Sequence, residues 1–335
     1  MSVSKDRLRW NEVPGSIRAA TEALVGGPVA DAENCPGGYS PGLASRLTLR
    51  DGRRVFVKAM DGNVWPSECE AHRTEAVVAS ALPASVPAPA FIGCFDDGSW
   101  VVLAFEDVDG VSPEVPWDCN TLTRVVPAVV GLANVVTPSP LALANHHPRL
   151  GGWIDLAADP ARGARLGTVS RWAADNLSHL VALETDGLVA AQGSSLVHFD
   201  LYPHNILVTA DRVVFVDWPH ARLGAPIVDL VMLLSSAAAD GIDPEPYLRT
   251  YAVGADPARV DAILAAHAGF LLAGGLASGP AGLDAIAAAK CRLGRGAVDW
   301  LQRRLDRADC TTDAETSRGG TSRPNHPNWD REQLD

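Results

Sequence analysis

The chain has 335 residues, 47% of them hydrophobic, enough for a sizeable core in one large domain or two smaller ones. That excludes a chain disordered throughout. Lys and Arg number 28 against 40 Asp and Glu, a formal net charge of −12. Such a balance argues against nucleic acid as a partner, because phosphate binding needs local positive charge. It suits a cationic small substrate, although acidity of this size is also ordinary for a bacterial cytosolic protein.

The six cysteines are scattered and form no Cys-x-x-Cys pair, so neither a zinc site nor a disulfide framework is expected. The opening MSVSKDRLRWNEVPGS has no apolar signal core. Two long uncharged stretches, between Arg124 and Arg149 and between Asp261 and Asp284, are broken by Pro and small residues. They read as buried or amphipathic helices, not membrane spans. The expectation is a cytoplasmic protein with no membrane partner.

In chain order, PGSIRAATEALV predicts a short amphipathic helix over 14–25. A glycine-rich segment follows, with Gly37, Gly38 and Gly42 around Ser40 and Pro41. ASRLTLR and RRVFVKA flank Asp51-Gly52, a strong hairpin signal. SECEAHRTEAVVASAL has helical spacing, with Val77, Val78 and Leu82 on one side, and Pro83 ends it. Two more strands surround Asp97-Gly98, and EDVDGVSPEVPWD connects to a second part. From about 120 to 192 the pattern is mostly helical. NILV and VVFV then form two short strands, and IVDLVMLLSSAAA begins a run of apolar helices to about 310. The polar end is expected to be a disordered tail.

Residues 198–208 read HFDLYPHNILV, and VVFVDW follows. Asp200, Asn205 and Asp217 therefore sit around two short strands, and the hairpin returns Asp217 to the loop that carries the other two. Phosphoryl transfer needs such groups: one to orient the attacking hydroxyl and accept its proton, and hard oxygen ligands for Mg²⁺. That chemistry also needs a strand lysine to neutralise phosphates, which Lys58 in VFVKA supplies. A helix glutamate should hold the lysine; Glu75 fits, while Glu68 and Glu70 lie near the helix start, where acids are common. GGYSPG offers backbone N–H groups and the Ser40 hydroxyl to phosphates.

The ordered set GGYSPG, VFVKA, HRTEA, VLAFEDVDG, VHFDLYPHNILV and VFVDWPHARLGAPIVDL, over roughly residues 30–305, resembles the aminoglycoside phosphotransferase family, which includes choline-kinase-like enzymes and has the protein-kinase-like fold. The resemblance implies an α+β bilobal fold, with a small antiparallel-sheet N-lobe (1–107), a mostly helical C-lobe (108–310) and a tail (311–335). It implies Asp200 as catalytic base, Asn205 and Asp217 as Mg²⁺ ligands, and Lys58 on the phosphates with Glu75 as its partner. Gly37, Gly38 and Ser40 would line the nucleotide, and Ala104 to Asp107, including Phe105 and Asp107, would face adenine through the backbone. His198 and Asp229 would be structural supports. Phe199 in place of arginine, Asp217-Trp218-Pro219 in place of Asp-Phe-Gly, and the missing Ala-Pro-Glu segment argue for a small-molecule kinase over a protein kinase.

Some residues have plainer readings. His204, His220, His146 and His147 read as loop histidines, and Trp153 and Trp218 as core or pocket wall. Asp240, Asp243, Glu245, Asp256 and Asp284 either line a pocket for an amine-bearing substrate or are ordinary helix-end charges. The expected activity is ATP- or GTP-dependent transfer to a hydroxyl of a small molecule, an aminoglycoside-like antibiotic (hence a resistance enzyme) or another natural product, by a monomer or homodimer. A metabolic kinase for a choline-, homoserine- or sugar-like acceptor is the second reading. A catalytically silent nucleotide-binding protein is the third, disfavoured because every required group is present.

Overall fold

The computed structural model of the chain describes residues 7–35, 41–141, 150–277 and 284–318. The first helix, α1 (Gly15–Val25), ends at Gly26, which takes the left-handed conformation that a helix C-terminus favours. Next comes β1 (Val29–Asn34), a strand with no clear sequence signal. VADAEN carries two acids and no run of branched residues, and it forms because it lies at a sheet edge, paired on one side only. β2 (Leu43–Leu49) and β3 (Arg54–Asp61) make the expected hairpin around Asp51-Gly52, where Gly52 supplies a φ of 88°. After α2 (Pro66–Ala81), β4 (Phe91–Asp96) and β5 (Trp100–Glu106) pair around Gly98. The five strands form one antiparallel sheet in the order β1-β2-β3-β5-β4.

Strand alternation divides this sheet into two faces. Leu43, Leu47, Val55, Val57, Val102 and Ala104 pack with Ile17 and Val25 of α1 on the outer face. Met60, Val101, Leu103 and Phe105 face inward and pack with Cys69 of α2. Lys58, between Val57 and Ala59, is therefore set on the inner face. On α2 the buried face is Cys69, His72, Glu75 and Val78. Val77 is 56% exposed, not beside Val78 on the buried side, because neighbours along a helix point about 100° apart.

The second part is built on helices. α3 (Cys119–Val135) is capped by Asp118, which accepts the Thr121 N–H at 3.0 Å. α4 (Trp153–Ala158), α5 (Pro160–Val169), α6 (Arg171–Asp175) and α7 (Leu177–Ala190) follow. Four short strands come next: β6 (Ser195–Val197), β7 (Ile206–Val208), β8 (Val213–Phe215) and β9 (Arg222–Gly224). β7 pairs with β8 and β6 with β9, so two small ladders bracket residues 198–205 and 216–221. α8 (Val228–Ala239), α9 (Glu245–Tyr251), α10 (Pro257–Gly275) and α11 (Asp284–Arg318) complete the fold. α8 and α10 are buried almost all round and form the centre of the core. At Gly187 of α7 an added Cβ would lie 2.1 Å from the Ala262 carbonyl oxygen, so only glycine lets α7 approach α10 this closely. α11 runs to Arg318, past residue 310 where the polar composition suggests a tail.

The two lobes meet through Phe215 N–H to Pro87 O at 2.7 Å, Trp218 N–H to the Glu75 carboxylate at 3.3 Å, and Arg212 to Glu106 at 3.2 Å. Among the described residues no helix is long and apolar enough to cross a membrane.

Candidate active site

Lys58 reaches from β3 into the space between the lobes. Its ammonium donates to both carboxylate oxygens of Glu75 at 2.8 Å and to Asp217 Oδ1 at 2.5 Å. Glu75 also accepts the Trp218 N–H, so one buried carboxylate ties β3, α2 and the segment after β8 together. Burial works against the Lys58 charge, but the Asp217 and Glu75 carboxylates outweigh it and raise its pKa. Burial likewise favours neutral Asp217, yet the Lys58 ammonium holds it down at about 2. Asp217 has a φ of 69°, a conformation costly for a non-glycine residue.

Asp200 and Asn205 lie on the loop between β6 and β7. Asn205 is buried, and its Nδ2 donates to the Asp200 backbone oxygen at 2.9 Å and to Asp200 Oδ2 at 2.8 Å. That orientation leaves the Asn205 Oδ1 oxygen without a hydrogen bond among the described residues. Burial pushes Asp200 up to about 7, and the nearby Asp217 charge adds to this; the Asn205 bond and the Lys290 ammonium oppose it. Asp229, at the start of α8, accepts the backbone N–H groups of His198 at 2.8 Å and Phe199 at 2.9 Å. Phe199 has a φ of 67°, and Asp229 clamps the loop at this point. The His198 ring bonds the Val216 oxygen at 3.0 Å, linking the loop to β8's exit. Burial pulls His198 down to about 4, so it is neutral at pH 7.

The described structure thus brings Asp200, Asn205, Asp217, Lys58 and Glu75 into one cleft, with His198 and Asp229 beneath it. Asp217 and Asn205 Oδ1 are hard oxygen donors on facing segments. No group of three or more His, Cys, Asp or Glu side chains is arranged to hold a metal among the described residues. A two-ligand site fits Mg²⁺, which takes its remaining ligands from phosphate and water.

Gly37, Gly38, Ser40, His146 and His147 lie outside the described residues. Gly42 is placed: an added Cβ would meet the Ala59 oxygen at 2.4 Å, so glycine is needed where β2 begins beside β3. Phe105 is on the inner face, its ring centroid 6.0 Å from the Lys58 ammonium. The Asp107 carboxylate is 4% exposed, held by Arg46 at 2.8 Å and Arg54 at 2.6 Å, and so is turned away from any ligand. Only its backbone is left for that role. Trp153 and Trp218 are core residues, with their indole N–H groups on Ala265 O and Phe215 O.

Four of the acids that could have received an amine are committed. Asp240 is paired with Arg292 and accepts the Trp117 N–H at 2.9 Å. Glu245 accepts Trp300 Nε1 at 2.8 Å and Arg304 at 2.7 Å. Asp256 caps α10, and Asp243 accepts the Glu245 N–H. Asp243 and Asp256 fit the plainer reading of helix-end charges, whereas the Asp240 and Glu245 side chains are only 6% and 12% exposed and are tied to arginines; the Asp284 side chain lies outside the described residues.

Two basic residues whose charges bear on the site carried no sequence signal. Arg7 donates to Cys35 O at 3.1 Å, and the Asp217 charge acts on its half-buried guanidinium. Lys290, on α11, acts on Asp200. Neither belongs to a spaced motif; only the tertiary fold brings them in.

Residues 31–263 match the phosphotransferase enzyme family, and the chain belongs to that family. The fold is that of protein-kinase-like small-molecule kinases. A choline/ethanolamine kinase family protein from Mesorhizobium loti has a TM-score of 0.55 at 18% identity, covering 87% of this chain and 97% of its own. A thermostable mutant of aminoglycoside phosphotransferase APH(4)-Ia, in a ternary complex with AMP-PNP and hygromycin B, has a TM-score of 0.54 at 14% identity, covering 87% and 99%. Choline kinase LicA from Streptococcus pneumoniae has a TM-score of 0.52 at 13% identity, covering 87% and 96%. No curated protein sequence matches the chain significantly.

Proposed function

We propose that the chain transfers the γ-phosphoryl group of ATP, or of GTP, to a hydroxyl of a small molecule. The observation that carries this is the joint placement of Lys58, held by Glu75 and Asp217, beside an Asp200 pushed up to about 7. Asp200 accepts the proton of the acceptor hydroxyl as its oxygen attacks the γ-phosphorus, and the bond to the β–γ bridging oxygen breaks to release the nucleoside diphosphate. Asn205 fixes the Asp200 carboxylate through Nδ2. Lys58 neutralises phosphate charge, and Glu75 keeps it extended. The backbone from Ala104 to Asp107 faces the base. Asn205 Oδ1 and Asp217 would hold Mg²⁺, which supplies charge neutralisation at the phosphates.

The family and the fold support this reading. The hygromycin B bound to APH(4)-Ia, and the choline kinases, are in keeping with an aminoglycoside-like or other natural-product acceptor, or with a choline-, homoserine- or sugar-like metabolite. The test is ADP release from Mg-ATP, with GTP in parallel, across hydroxylated antibiotics, choline, homoserine and sugars. Acceptor-dependent release that vanishes in Asp200→Asn is expected; release that persists in that variant would remove Asp200 from the mechanism.

A further inference from the structure

Residues paired across antiparallel strands share a face, so the inner face of the five-stranded sheet is built in rows. Ala44, Lys58 and Leu103 make one row. Two residues along each strand, roughly 7 Å away, Arg46, Phe56 and Phe105 make the next. Phe105 packs on this face with Met60 and Leu103, and Phe56 lies partly buried against them. Leu43, Leu47 and Leu49 of β2 point to the other face, towards α1, so Arg46 is on the Lys58 side. Its guanidinium reaches over β3 to the end of β5, where Nε donates to Asp107 Oδ1 at 2.8 Å. A tie between strands does not account for this residue. Arg54 already holds the other Asp107 oxygen at 2.6 Å, so two guanidiniums meet one carboxylate. Glu33, opposite Arg46 on β1, makes no ion pair with it among the described residues. The row therefore carries surplus positive charge. Among the described residues Arg46 donates through Nε alone, which leaves both η nitrogens as donors on a side chain that is fixed at one end and 30% exposed.

In the phosphotransferase reading, on which this inference rests, Lys58 takes the phosphates and the backbone from Ala104 to Asp107 faces the base. A purine that reaches that backbone lies one row beyond Lys58, along Phe56 and Phe105, with the Arg46 guanidinium at its edge. The phosphates stay a row behind, and the bond to Asp107 draws the guanidinium further from them. Guanine presents O6 and N7 side by side, two acceptors that match the two η nitrogens of an arginine. Adenine keeps N7 but has an amino donor in place of O6. With adenine, one Arg46 N–H would face another donor and go unpaired. We propose that Arg46, held in place by Asp107, reads the O6/N7 edge of the nucleobase, so that this chain takes its phosphoryl group from GTP in preference to ATP.

The test is calorimetry of the full chain with Mg-GDP, Mg-IDP and Mg-ADP, which needs no acceptor. Hypoxanthine shares O6 and N7 with guanine and lacks its 2-amino group, so IDP isolates the edge that Arg46 reads. GDP and IDP should each bind the wild-type protein at least about tenfold more tightly than ADP, within the range that one bidentate base contact supplies. Arg46→Leu should bring the three affinities together. Arg46→Gln should turn the preference towards ADP, because a carboxamide pairs with N6 and N7 of adenine. Thermal melts show that each variant is folded, and the wild-type comparison stands without either of them. Equal affinities, a preference for ADP, IDP binding like ADP, or a preference that survives Arg46→Leu would overturn the proposal. Binding of all three nucleotides without base preference overturns only the role of Arg46. Binding of none overturns the phosphotransferase reading and Arg46 with it.

Discussion

The Lys58 side of the cleft and the helices around α11 both rest on ion pairs, but the two sets are built differently. Lys58 holds two carboxylates from different lobes, its side chain is 14% exposed, and its partners sit on α2 and on the strained turn after β8. Arg292 and Asp240 join neighbouring helices of one lobe, and the arginine is 46% exposed. The first set gathers buried charges in the cleft at some cost to stability; at the Arg292–Asp240 tie the exposed arginine lets water screen much of the gain, whereas Arg304, 9% exposed, makes a more buried tie to Glu245 and Asp261. Removing a charge should therefore change activity and stability strongly in the cleft and little at the Arg292 tie.

The largest effect is expected at Asp200. Asp200→Asn should lower turnover at least about a hundredfold, the lower end of what a positioned base contributes, with nucleotide binding retained. The same change should stabilise the free protein. Asp200 is pushed up to about 7 by burial, from an unfolded value near the ordinary aspartate 3.8. A raised carboxyl binds its proton more tightly in the folded state, so stability is lost as pH climbs from about 4 to about 7 and is constant above that. Asparagine has no such loss. Above pH 7 the variant should gain roughly 2–4 kcal/mol, and below pH 4 almost nothing. Denaturant melts at pH 4 and pH 8 check this; equal gains at both would show that ionisation is not the cause. In the wild type, kcat/KM should rise with pH and level off above about 7, and a profile flat from pH 5 upward would contradict an Asp200 base.

Asp229 comes next. Asp229→Ala strips the partners from two buried N–H groups at His198 and Phe199, each left unsatisfied at about 1–3 kcal/mol. A stability loss of roughly 3 kcal/mol is expected, together with lower turnover, because the loop carrying Asp200 loses its clamp. A loss under about 1 kcal/mol in urea melts would mean that water replaces the carboxylate.

How much of this was legible beforehand follows from the same contrast. Asp200, Asn205, Asp217, Lys58 and Glu75 could be read because local geometry fixes their spacing: a loop of set length, a hairpin return, a strand and the helix after it. The β2–β3 and β4–β5 hairpins were legible through Asp-Gly pairs between alternating runs. β1 was not, since an edge strand needs only one partner and VADAEN shows little β pattern. The charges of Lys290 and Arg7 were not, because neither stands in a spaced motif and only the tertiary fold brings them to bear on Asp200 and Asp217. The acids around 240–256 could be read as an amine pocket or as helix-end charges because composition shows charge but not its partner, and the arginines of Asp240 and Glu245 stand 52 and 59 residues further along.

The smallest effect is expected at Arg292. Arg292→Gln removes a cation from Asp240, which keeps the Trp117 N–H. The arginine is half exposed, so the loss should stay near or below about 1 kcal/mol, and it should shrink further as salt is raised. Turnover should not change, because neither partner reaches the cleft. Urea melts at low and at 0.5 M salt give the answer. A loss above about 3 kcal/mol that ignores salt would mean that Asp240 is left as an uncompensated buried charge, and the tie would then belong with the Lys58 pairs rather than apart from them.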